Sequence, residues 1–70
     1  DIVLANINRN ILTNDMNKYV DSLRKGGLIL MSGFFTTDAQ IIEKEANKNG
    51  LVLQKTHERE GWAMLEFIKK

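Results

Sequence analysis

The 70-residue sequence predicts an α/β fold with the element order β-α-β-α-β-β. Two continuous apolar runs, Ile2-Val3-Leu4-Ala5 and Leu28-Ile29-Leu30-Met31, do not alternate, as expected of parallel strands covered on both faces. An apolar stripe at helical spacing lies between them. The carboxy-terminal segment reads as two strand-forming stretches around a charged, glycine-containing turn, the pattern of an antiparallel hairpin.

In the first helix the stripe is Ile11, Leu12, Met16, Tyr19, Val20 and Leu23. Asn8 or Asn10 is expected to cap its start. Lys18, Arg24 and Lys25 are expected to favour its far end through the helix dipole, and Gly26-Gly27 supplies a residue able to take positive φ where it stops. The strand Leu28 to Met31 follows, bounded by Ser32-Gly33, so residues 1 to 33 form a β-α-β unit.

Thr37-Asp38-Ala39-Gln40 matches a capping box, which predicts a second helix with Ile41, Ile42 and Ala46 inward and Glu43, Lys44, Asn47 and Lys48 outward. Gly50 ends it. Leu51 to His57 and Trp62 to Ile68 form the hairpin strands, with Glu58-Arg59-Glu60-Gly61 as the turn. No repeat, linker or low-complexity tract interrupts the order.

Two right-handed crossovers advancing in one direction place both helices on the same face of the sheet. The opposite face is then left bare, although the first two strands are apolar on both sides. A covering layer from outside these residues, and a partner for the free edge of residues 2 to 6, are therefore expected.

Composition narrows the function classes. The net charge is +1, with 10 Lys and Arg scattered along the chain, which gives no electrostatic reason to expect nucleic acid or an anionic membrane. The absence of cysteine removes disulfides, a thiol nucleophile and a Cys-based zinc site, and it fits a reducing, cytoplasmic setting. The apolar runs are too short to span a bilayer, and no leader precedes them. A chain of this length buries only about 60% of its unfolded surface, so a partner or a missing half would add stability.

Asn6 is the leading candidate for chemistry, because it follows an apolar strand at the carboxyl end, where open α/β sheets place ligands. An amide there accepts a hydrogen bond from an amine and donates another, orienting a neutral nitrogen without adding charge. Asn6, Asn8 and Asn10 equally suit helix capping and turn formation. Ser32-Gly33 holds the equivalent position on the neighbouring strand, but no nucleophile elbow surrounds Ser32.

His57 reads as a partly exposed strand-end residue, and Glu58 and Glu60 as solvated turn charges. Trp62 is expected to pack in the hairpin or on a helix, with a pocket rim as the alternative. No metal set and no complete catalytic constellation is legible. The glycine-rich first turn and ribose-binding acid of a nucleotide-binding half are not in these residues.

The stretches DIVLANINRNIL, RKGGLILMSGF, NKNGL and HEREGWAMLEF, in that order, resemble the carboxy-terminal part of the PrmA-type ribosomal protein methyltransferases. The resemblance covers essentially the whole chain. It implies the carboxy-terminal half of a Rossmann-like, seven-stranded S-adenosylmethionine-dependent methyltransferase fold, with the last strand antiparallel and the spatial order first, second, fourth, third. Residues 1–70 would be part of a catalytic domain whose cofactor-binding amino-terminal half is absent.

The implied activity is methyl transfer from S-adenosylmethionine, without a metal, to lysine and amino-terminal amines of a large-subunit ribosomal protein. The implied sites are Asn6 as catalytic residue, Asn6 and Ile7 at the cofactor, and Asn6, Asn8, Ser32 and Gly33 at the substrate. Many amino-methyltransferases carry paired prolines after this asparagine, whereas this chain has Ile7-Asn8 and no proline, in keeping with the PrmA type. The 70 residues alone are expected to be inactive and to self-associate through their bare surface. The alternatives are a freestanding α/β interaction module that self-associates, or half of another Rossmann-like enzyme such as a dehydrogenase.

Overall fold

The computed structural model of the protein describes residues 2–6 and 9–70, the side chains of 9–15 excepted. Strands β1 (Ile2–Asn6), β2 (Leu28–Phe35), β3 (Leu51–Arg59) and β4 (Trp62–Lys69) form one sheet in the order β1-β2-β4-β3. β1 lies parallel to β2, and β4 is antiparallel to both β2 and β3. Helix α1 (Arg9–Ser22) joins β1 to β2, and helix α2 (Ala39–Lys48) joins β2 to β3. The element order is the one expected from the sequence pattern, and the lateral order is the one the family resemblance implies.

Register explains which side chains reach the core. Val3 pairs with Ile29 and Ala5 with Met31, and across β2 these meet Phe67 and Leu65. Period-two alternation puts all of them on one face. Met16, Val20 and Leu23 of α1 and the turn after it, and Ile42 and Ala46 of α2, belong to the same buried cluster as Ile29, Met31, Leu65 and Phe67. Both helices therefore cover one face. Full burial of a side chain such as Phe67 contributes about 1.5–3 kcal/mol.

The other face has no layer among the described residues. Ile2 pairs with Leu28, Leu28 with Ile68 and Ile68 with Val52, an apolar row across all four strands. Ile2 is 65% exposed and Leu4 75% exposed, although each sits in a strand of apolar residues. Doubly apolar runs thus meet a sheet covered on one side.

Several local expectations are corrected. β2 does not stop at Met31 but continues to Phe35, because its register shifts between Met31 and Phe34 and Gly33 takes φ +89° within the strand. A β-bulge of this kind absorbs an extra residue and bends the strand. The capping box does not form: Thr36–Asp38 is a 3-10 turn, and Asp38, with helical dihedrals, stands at the α2 N-cap position without a side-chain cap bond. Ile41 is exposed, whereas Ile42 and Ala46 are buried.

Helix α1 ends at Ser22 with no basic residue in its last turn: Lys18 precedes that turn, and Arg24 and Lys25 follow the helix. Gly26 does take positive φ, at +87°. The hairpin turn is shorter than expected. β3 runs to Arg59, leaving Glu60 at φ +51° and Gly61 at φ +84°, the pair of positive values that a two-residue type I′ turn requires. Asn8 and the side chains of Asn10, Ile11 and Leu12 lie outside the described residues.

Candidate functional site

Asn6 is the last residue of β1 and is exposed. Its register partner on β2 is Ser32, followed at once by Gly33 in the bulge. The fold therefore brings Asn6, Ser32 and Gly33 together at one end of the sheet. Ile7 and Asn8 lie outside the described residues.

Antiparallel pairing carries the hairpin to the same end. β4 begins there with Trp62, and β3 finishes there with Arg59. Trp62 stacks on Phe35 of β2, with ring centroids 4.3 Å apart and planes 26° apart. The Thr36 N–H donates to the Gly61 carbonyl at 2.8 Å, which ties the hairpin turn to the end of β2. Trp62 thus packs against β2 on the face away from the helices, and it remains half exposed.

A concavity of about 520 Å³ opens beside Ser32 and Gly33, walled by His57, Arg59, Trp62 and Met64, with Glu58 and Ala63 at its margin. Its residues come from β2, β3 and β4. Of the hairpin side chains only Trp62 is legible in sequence as a candidate pocket rim; Arg59 and Met64 are not, because only the two-residue turn sets Arg59 opposite Trp62 and His57 opposite Met64. The alternation of HERE along an edge strand was the available signal.

The arrangement offers a neutral amide, a hydroxyl and an aromatic wall on one polar rim. Such a rim can orient a polar group of a ligand by hydrogen bonding and exclude water from one side of it. Among the described residues no group of three or more His, Cys, Asp or Glu is placed to hold a metal. No described helix is long and apolar enough to cross a membrane.

Residues 1–70 match the family described as Ribosomal protein L11 methyltransferase (PrmA). The chain belongs to the PrmA family. A ribosomal protein L11 methyltransferase of Bacteroides thetaiotaomicron is 48% identical over 67 residues, which are 96% of this chain and 24% of that protein. The ribosomal protein L11 methyltransferase of Porphyromonas gingivalis is also 48% identical over 67 residues, 96% of this chain and 23% of that protein.

A crystal structure of a ribosomal protein L11 methylase from Lactobacillus delbrueckii subsp. bulgaricus superposes with a TM-score of 0.84 at 27% identity, covering 100% of this chain and 36% of that one. The mixed α/β architecture is thus that of a methyltransferase structure. The chain spans about a quarter of the length of the curated PrmA relatives it matches.

Proposed function

We propose that these residues are the carboxy-terminal half of the catalytic domain of a PrmA-type, S-adenosylmethionine-dependent protein N-methyltransferase, and that the complete enzyme methylates lysine and amino-terminal amines of ribosomal protein L11 in the cytoplasm. The observation that carries this reading is the position of Asn6. It is an exposed amide at the carboxyl end of β1, beside Ser32 and the concavity, in a chain that matches the family from end to end.

S-adenosylmethionine supplies, when bound, an electrophilic sulfonium methyl. The described residues fit one margin of such a site, where the uncharged Asn6 and Ser32 stand side by side. Asn6 and Ile7 border the cofactor in this reading, and Asn8, Ser32 and Gly33 line the substrate side. The Asn6 amide oxygen accepts a hydrogen bond from the incoming neutral amine, which fixes the direction of the nitrogen lone pair. Fixing that direction lowers the barrier, because a misplacement of about 1 Å costs on the order of 10²-fold in rate.

The bare face of β1 and β2 is covered in the complete enzyme by the other half of the domain, which also supplies the glycine-rich turn and the ribose-binding acid. The 70 residues alone are inactive and self-associate through that face. Methyl transfer to purified ribosomal protein L11, followed by mass spectrometry on the full-length polypeptide, tests the proposal. Asn6→Ala is expected to lower kcat/KM on the order of 10²-fold with the melting temperature unchanged. Transfer by Asn6→Ala at the wild-type rate would remove Asn6 from the mechanism.

A further inference from the structure

The face of the sheet that carries no helix divides into two zones. At the amino end of β1 it is the apolar row of Ile2, Leu28, Ile68 and Val52, suited to a covering layer. At the carboxyl end it is a largely apolar, aromatic-walled concavity bordered by Arg59 and His57, polar groups that such a layer would leave unmatched.

Within that concavity, Arg59 faces Trp62 in the β3–β4 register and His57 faces Met64. Alternation therefore projects the guanidinium and the imidazole from the same face as the indole and the thioether. Glu58 pairs with Ala63, a member of the helix-covered core, and so departs from the opposite face. Among the described residues Arg59 makes no ion pair. Trp62 is held by its stack on Phe35 and presents a fixed wall. An unpaired, exposed guanidinium beside an aromatic and an apolar surface is complementary to a carboxylate next to an apolar side chain.

We infer that this concavity docks an acidic and apolar segment of the polypeptide that bears the target amine, with its apolar side chain against Trp62 and Met64 and its carboxylate on Arg59. The inference rests on the methyltransferase reading for the position of the amine. Asn6 lies on β1 and Arg59 on β3, three strand spacings apart in the order β1-β2-β4-β3. At about 4.8 Å per spacing the lateral separation is roughly 14 Å, and Arg59 stands about two residues beyond the level of Asn6, so the two lie roughly 16 Å apart, the span of about five extended residues. The docked segment accordingly carries its carboxylate about five residues from the amine that is methylated.

The test uses the full-length polypeptide and ribosomal protein L11 labelled with a fluorophore, with binding read by anisotropy and cofactor binding by calorimetry. Arg59→Glu is expected to weaken L11 binding by about tenfold or more and to raise KM with little change in kcat. Cofactor affinity and melting temperature should stay at wild-type values, because Arg59 is exposed. A reciprocal change of the L11 carboxylate to lysine should restore binding to Arg59→Glu.

Wild-type L11 affinity in Arg59→Glu would overturn the inference. If the wild-type protein bound L11 through Arg59 but transferred no methyl group, the docking surface would stand and the proposed reaction would fall.

Discussion

The Nζ of Lys69 donates a hydrogen bond to the carbonyl oxygen of Val20 at 2.7 Å and a second to that of Leu23 at 2.8 Å. A lysine from the last strand thus satisfies carbonyls at and just beyond the end of the first helix, which has no basic residue in its own last turn. The backbone reinforces the clamp: the Gly26 N–H donates to the Lys69 carbonyl at 2.8 Å, and the Lys69 N–H to the Gly27 carbonyl at 3.0 Å. Closure of α1 onto the sheet therefore depends on a contact between residues far apart in the chain.

Replacing that ammonium tests its contribution. Lys69→Met keeps most of the aliphatic stem and removes both charge-assisted bonds, so the full-length protein should lose about 1.5–3 kcal/mol of stability in urea unfolding. Lys69→Arg should lose less. An unchanged urea midpoint in Lys69→Met would show that water satisfies the carbonyls as well as Nζ does.

The hairpin turn gives a purely conformational prediction. A Cβ at Gly61 would meet nothing within 4 Å, so any cost of substitution comes from holding φ at +84°. Gly61→Val should destabilise by about 1–2 kcal/mol, and Gly61→Asn by clearly less, since asparagine tolerates left-handed backbone. Equal melting temperatures for the two variants would contradict the turn assignment.

The bare face predicts behaviour for the 70 residues expressed alone. They should elute as a dimer or larger species, and Leu4→Lys should shift them toward monomer by placing a charge on a 75% exposed apolar position at the sheet edge. In the full-length protein the same substitution should destabilise by about 2–5 kcal/mol, because the charge would be buried there. A well-behaved monomer of the unsubstituted 70 residues at high concentration in multi-angle light scattering would contradict the first part.

Much of the fold was legible because the sheet and helices follow local patterns. Leu28 to Met31 reads as a buried strand from its composition alone, and Ile42 and Ala46 fall inward at helical spacing. What escaped sequence reading depends on contacts between distant residues. Thr37 fits a capping box, but the chain leaves Phe35 through a 3-10 turn that takes up Thr37 and leaves Asp38 at the N-cap position. Ser32-Gly33 reads as a strand end, yet Gly33 is the residue that lets β2 bulge and continue.

The site divides in the same way. Asn6 and Ser32 are visible as polar residues ending apolar runs, so their juxtaposition follows from parallel pairing of two strands. The Arg59 and Trp62 wall depends on a two-residue turn and on β4 inserting between β2 and β3. Trp62 is legible as a candidate rim, but Arg59 does not stand out in sequence.

The central claim is that the face bearing Ile2 and Leu4 is an interior surface of a larger catalytic domain, and thiol labelling addresses it directly. These 70 residues contain no cysteine, so Leu4→Cys and, as a solvent-exposed control on β3, Gln54→Cys each introduce one thiol into this region. In the folded full-length protein Leu4→Cys should react with a maleimide on the order of 100-fold more slowly than Gln54→Cys, as a position released only by opening of the structure. Equal rates at the two positions would mean that the face is open to water in the whole protein and would contradict the account.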